Sequence, residues 1–249
     1  MRNFFWLLFC AFLVSSCRET KTMDEFDIPS DFKVRSISDG FSDYEFLYAD
    51  TLITSIIENV FGTSYTLFYT DGLLDSIKIV LNDSLRTASA TSIVYFKRSS
   101  KGKIVEINKE QYPLRVRYNK EEQDIEEIEV RQLLRSEYYS YRDSLVYDQE
   151  HDLVEMHRHR TGDFPEKVFI RELEKTVNLF WWVSNKLGFP FFNTFVLRDL
   201  ANTSINLSRR IVKKYDYERG DIKKEGKVTC KFDNQGRPVN IDSFRISYY

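Results

Sequence analysis

Tyr65–Ile77 reads YTLFYTDGLLDSI. A run of strand-favouring aromatic and apolar residues meets Thr70-Asp71-Gly72 and resumes at once as a second apolar run. Aromatic and β-branched residues suit a pleated, half-buried surface, and Gly72 after the polar Thr70-Asp71 supplies the positive φ that a tight hairpin turn needs at its exit. This stretch therefore predicts strand, turn, strand.

The same pattern recurs. TLITSI (51–56), GLLDSI (72–77), GKIVEI (102–107), QDIEEI (123–128), HDLVEM (151–156) and GRPVNI (236–241) all end on Ile or Met. Each follows an aromatic or apolar run: EFLY, YTLFY, IVYF, LRVRY, LVY and VTCKF. Gly72, Gly102 and Gly236 are expected at the turn exits, and Thr51, Gln123 and His151 stand in the glycine's place in the other units. Period-2 alternation puts Leu114, Val116 and Tyr118 on one face of LRVRY and Arg115 and Arg117 on the other. The spacing of the units is uneven, so the series is a run of hairpins rather than a strict solenoid. Successive hairpins predict a mainly β fold: a curled antiparallel meander, open or partly closed like a barrel.

One segment departs from this pattern, a helical insert around 172–201. In ELEKTVNLFWWVSNKLG, Leu173, Val177, Phe180, Trp181 and Leu187 lie near helical spacing, and Gly188 with Pro190 marks the stop. Asn193 is placed to cap a second short helix through Leu200. Trp181 and Trp182 are the candidate ligand-contacting aromatics, with core packing as the competing role.

At the N-terminus, Arg2 precedes an apolar run, Phe4 to Val14, that is too short to span a bilayer. Ser15, Ser16 and Cys17 follow. The order is that of a secretory signal over residues 1–16, and Val14-Ser15-Ser16-Cys17 resembles the lipobox of bacterial lipoproteins. That resemblance implies lipidation of Cys17, with 17–31 as a polar, flexible tether and 32–249 as a single β-rich domain. Arg18 is not the aspartate of the inner-membrane retention signal, so the outer membrane of a Gram-negative envelope is expected, in either leaflet.

The C-terminal text SINLSRRIVKKYDYERGD and GKVTCKFDNQGRPVNIDSFRISYY is similar to that of Bacteroidales-type envelope lipoproteins with a curled, porin-like antiparallel sheet. FDNQGRPVNI also resembles the tyrosine-aspartate repeat of bacterial Rhs proteins, with Phe232 where a tyrosine is usual. The resemblance implies a fold and a compartment and no activity.

The chain has 36 Lys and Arg against 38 Asp and Glu, a formal charge of −2. That balance argues against a nucleic-acid partner bound through phosphates. With Cys10 in the leader and Cys17 as lipid site, Cys230 has no disulfide partner and is expected as a small hydrophobe on a strand. His151, His157 and His159 cluster near acids, which makes His157 and His159 the candidate metal ligands. Their alternation with Arg158 and Arg160 instead predicts a polar, solvent-facing strand end without metal. In EEQDIEEIE (121–129), Glu126 and Glu127 are expected on opposite faces, against a glycosidase-like acid pair. No nucleophile elbow, phosphate-binding glycine loop, HExxH or CxxC pair occurs.

The expected function is therefore a lipid-anchored, non-enzymatic binding or scaffolding protein without cofactor. Two other functions remain open: a carrier or sensor of a hydrophobic ligand enclosed by the sheet, and a glycan-binding lipoprotein. An envelope protein is a further candidate partner.

Overall fold

The computed structural model describes residues 32–40, 42–81, 90–108, 114–134, 137–192 and 206–249. Residues 1–31, on which the expected leader, lipid site and tether fall, and the Asn193–Leu200 segment expected as a second helix lie outside them.

The described residues form 17 strands in one antiparallel sheet. The first half comprises β1 (Val34–Ser38), β2 (Asp43–Ala49), β3 (Leu52–Glu58), β4 (Thr63–Thr70), β5 (Leu73–Leu81), β6 (Ala90–Arg98), β7 (Ile104–Asn108), β8 (Leu114–Tyr118) and β9 (Ile125–Leu134). The second comprises β10 (Glu137–Tyr147), β11 (Leu153–Arg160), β12 (Glu166–Val177), β13 (Arg210–Arg219), β14 (Ile222–Lys227), β15 (Cys230–Phe232), β16 (Pro238–Ile241) and β17 (Phe244–Tyr248). Helix α1 (Leu179–Leu187) follows β12.

Each strand from β1 to β14 pairs with the next, β15 to β17 pair in turn, and β17 returns to β1. Between β14 and β15 the chain changes partner. Val228 N still donates to Lys213 O of β13 at 2.9 Å, while Thr229 O accepts from Asp242 N beside β16 at 2.7 Å. No register joins β14 to β15, so the curled sheet is not closed.

Alternation sets the two faces. Tyr44, Phe46, Tyr65, Leu67, Ile77, Leu114, Val116 and Ile128 are buried inward, and Arg115 and Arg117 are exposed as expected. On the outside of β8 to β14, one row of cross-strand neighbours reads Arg117, Glu127, Ser144, His157, Lys167, Glu218, Lys223. Arg117 bridges to Glu126 at 2.5 Å and Glu127 at 3.5 Å, and Lys223 to Glu218 at 2.8 Å. A lipid-facing barrel needs an apolar outer band; along this row the outer face is charged, whereas Leu47, Phe68, Leu81, Ile93 and Tyr95 are exposed on β2 to β6. Among the described residues, no helix is long and apolar enough to cross a membrane.

The interior is filled by α1 and the residues after it. Phe180, Trp182, Phe189, Phe191 and Phe192 join strand residues in one core cluster. Phe192 meets Tyr44 and Phe46 edge-on at 6.1 and 6.5 Å, Phe191 meets Tyr65 at 5.4 Å and Phe189 meets Phe96 at 5.3 Å. The first three pairs are edge-to-face and the last is tilted; such aromatic pairs add to the stabilisation from area burial.

Three sequence expectations need correction. Glu172–Val177 is strand, not helix: Leu173 and Val177 have helical spacing, but the irregular ladder to β13 pairs Leu173 with Val212 and Val177 with Arg210. The helix begins after Asn178, whose extended backbone (φ −78°, ψ 119°) and side-chain oxygen cap it. It ends at Gly188 with φ 75°, as the sequence predicts.

Glu126 and Glu127 do not face opposite sides. Tyr118 pairs with Ile125 and Arg117 with Glu127, which leaves Glu126 as the extra residue of an irregular step, and both glutamates reach Arg117. Nor is the end of β11 wholly solvent-facing. His157 and His159 point outward, whereas Arg158 points inward and is fully buried. Its Nε and Nη2 donate to Asp143 Oδ1 and Oδ2, both at 2.6 Å, and the Tyr141 ring centroid lies 4.3 Å from the guanidinium carbon.

Candidate functional site

The hairpin turns of the repeated units lie on one rim. After Ser99, Asp148 and Asp233 the chain makes the same turn: the first residue's carbonyl accepts from the fourth residue's N–H at 3.1, 3.2 and 3.0 Å. The fourth residue takes the left-handed conformation, supplied by Gly102 (φ 85°), His151 (φ 63°) and Gly236 (φ 76°). In the 119–124 turn the left-handed residue is Glu122 (φ 58°), not Gln123, and at the first unit it is Asp50 (φ 52°), not Thr51. Asn119 and Asp148 compensate with side-chain oxygens that accept turn N–H groups at 2.9 to 3.0 Å.

Because His151 holds the glycine position, its ring is carried to the rim. There its Nδ1 lies 2.6 Å from Asp124 Oδ2 of the neighbouring turn, and this hydrogen bond holds the imidazolium above the ordinary histidine range.

Between these turns and α1 lies a pocket of about 340 Å³. The turns contribute Lys103, Gln123, Asp124 and His151, α1 contributes Trp181, Ser184 and Asn185, and Gly188, Phe189 and Pro190 follow. Tyr118, Ile125 and Tyr147 form the strand wall, and Asn206, Leu207 and Arg209 close the far side. Burial raises both phenols, Tyr118 to about 12 and Tyr147 further, so both remain neutral donors. Two lining residues are almost fully buried, Ser184 at 7 % and Asn206 at 2 % exposure. Among the described residues neither Ser184 Oγ nor Asn206 Nδ2 has a hydrogen-bond partner, an arrangement that costs about 1–3 kcal/mol per group unless a ligand or water satisfies it.

The two tryptophans are separated by the helix. Trp181 is half-buried and lines the pocket, whereas Trp182 belongs to the core and packs edge-on against Phe32 at 5.2 Å. His157 and His159 lie outside the pocket on the outer wall, with His157 Nε2 bonded to Glu155. Among the described residues, no group of three or more His, Cys, Asp or Glu is arranged to hold a metal ion. Cys230 is half-buried against the core, which pushes its thiol up to about 11. The sequence singled out Trp181 but missed Ser184 and Asn206, whose shared cavity has no linear signature.

No protein-family model and no curated protein sequence matches the chain. Among solved structures it is similar to a porin-like protein from Bacteroides uniformis ATCC 8492. The two are 9 % identical, with a TM-score of 0.38 over 87 % of this chain and 98 % of that one.

Proposed function

We propose that the protein is a lipid-anchored component of a Gram-negative envelope that binds a carbohydrate at the rim pocket without chemically altering it. The observation that carries this is Trp181 beside two buried polar groups, Ser184 Oγ and Asn206 Nδ2, that lack partners. A sugar ring offers both complements: an apolar C–H face for an indole and hydroxyls for a hydroxyl oxygen and an amide donor. The pocket volume is at the small end of the range for ligand sites, about 300–1,000 Å³, which suits one or two sugar rings. The enclosed-carrier alternative is disfavoured because Phe180, Trp182, Phe189, Phe191 and Phe192 fill the space between helix and sheet.

Removal of residues 1–16 takes Trp6 away and leaves Trp181 and Trp182 as the emitting residues. Intrinsic fluorescence titrated with mono- and disaccharides is expected to respond in the wild type and in Trp182→Phe, and not in Trp181→Phe. A flat response to every saccharide from correctly folded protein refutes the proposal.

A further inference from the structure

The pocket and the start of the folded chain share a rim. Phe32 packs on Trp182 at 5.2 Å and on Tyr248 at 5.3 Å, and Tyr249 N donates to Lys33 O at 3.5 Å. Val34 pairs with Tyr248, so β1 starts at this rim and runs away from it. Phe32 and Trp182 lie on the core side of α1 and Trp181 on its pocket side, so the described chain begins at the rim that carries the pocket.

The place where the chain enters the domain favours this rim for the bilayer. A link of about 15 residues separates Cys17 from the first described residue, Phe32. A strand of nine residues such as β5 extends ~30 Å. Presenting the opposite rim to the membrane would require the link to run that whole length as well. The pocket's charge is also biased. Lys103, Arg209 and His151 line it against Asp124 as the acid.

We propose that this rim faces the membrane holding Cys17, and that the pocket takes the acidic sugar headgroup of a lipid in that membrane. The inference rests on the carbohydrate reading of the pocket. In it the sugar ring lies on Trp181, its hydroxyls meet Ser184 and Asn206, and its carboxylate or phosphate meets Lys103 and Arg209.

The test uses the full mature, lipidated protein in phosphatidylcholine vesicles, with and without glucuronosyl diacylglycerol, and free glucuronate and glucose as soluble probes. Fluorophores are attached at Glu150→Cys, in the pocket-side 148–152 turn, and at Phe164→Cys, in the opposite β11–β12 turn, where the side chain is 68 % exposed. Cys230, a half-buried free thiol, is replaced by serine in both variants so that only the introduced cysteine is labelled.

Spin-labelled headgroups are expected to quench the Glu150→Cys label several-fold more than the Phe164→Cys label. The glucuronosyl lipid is expected to change Trp181 emission, and Lys103→Ala to weaken that response about tenfold, the effect of losing a charged hydrogen bond. Equal or stronger quenching at Phe164→Cys overturns the orientation even where free glucuronate binds. Binding of free glucuronate but not of the lipid overturns the membrane source. Equal binding of glucose and glucuronate overturns the acidic selectivity. No response to any sugar overturns the carbohydrate reading itself.

Discussion

Replacement of Asp143 by Asn isolates the cost of a buried charge. Arg158 is 0 % and Asp143 1 % exposed. They face each other across β10 and β11, with Glu166 opposite Arg158 on β12. Asp143→Asn keeps the shape and removes the counter-charge. Arginine cannot shed its proton, so its guanidinium is left buried without its bidentate partner, which costs about 3–5 kcal/mol. For a chain of this size about 2–4 °C accompanies each kcal/mol, and the expected drop in Tm is ~6–20 °C.

Arg158→Met should cost less, because burial already pushes the Asp143 carboxyl upward against the pull of Arg158, and the stranded acid can neutralise itself by taking a proton. The double variant Asp143→Leu/Arg158→Met should recover most of the loss, since buried ion pairs are often matched by apolar residues. The assay is thermal and urea unfolding, followed by circular dichroism, of the wild type, Asp143→Leu, Arg158→Met and the double variant as the four corners of the cycle, with Asp143→Asn measured beside them. A Tm change below about 2 °C for Asp143→Asn, or additive single effects, refutes the reasoning.

Other perturbations test other parts of the structure. Gly226 faces Tyr215 across β13 and β14, and the ring occupies the place of a Cβ at residue 226; Gly226→Ala should therefore displace the ring and cost about 1–3 kcal/mol in urea unfolding. Asn178 Oδ1 accepts from Phe180 N at 3.1 Å and its Nδ2 donates to Ser208 O at 2.9 Å, so Asn178→Ala should lose about 1–2 kcal/mol as a cap and show faster amide exchange in α1. His151 has its pKa raised above the ordinary 6.5 by the hydrogen bond to Asp124. The bridge between the two turns is thus fully present below 6.5 and is lost as pH rises through the raised value. Nitrogen-detected NMR should show the His151 titration moving down in Asp124→Asn, and an unmoved titration would contradict the pairing.

The hairpins were legible because each short turn carries its own chemistry. Asp71-Gly72 and Gly236 announce positive φ locally, and alternation in LRVRY fixes which side chains face water. Helix α1 was legible at its end, where Gly188 acts within a single turn, and not at its start. Leu173 and Val177 satisfy helical spacing, and only the ladder to β13, contributed by Val212 and Arg210 more than 30 positions on, draws them into a strand. The burial of Arg158 was hidden for the same kind of reason. Its alternation with His157 and His159 reads alike whichever face is inside, because a shift of one residue exchanges the faces, and the deciding partner Asp143 lies on the adjacent strand. The pocket is assembled from three turns, a helix and the chain before β13. Trp181 was visible as an aromatic on the one helical stretch, while Ser184 and Asn206 gain significance from being buried together without partners.

Native mass spectrometry of residues 18–249, purified without detergent, tests the central claim most directly. A filled interior and a sugar-binding rim give the bare protein mass, and a one-to-one adduct on addition of an acidic saccharide that disappears in Trp181→Ala. A reproducible acyl-chain adduct carried through purification, or saccharide adducts unchanged in Trp181→Ala, would contradict it.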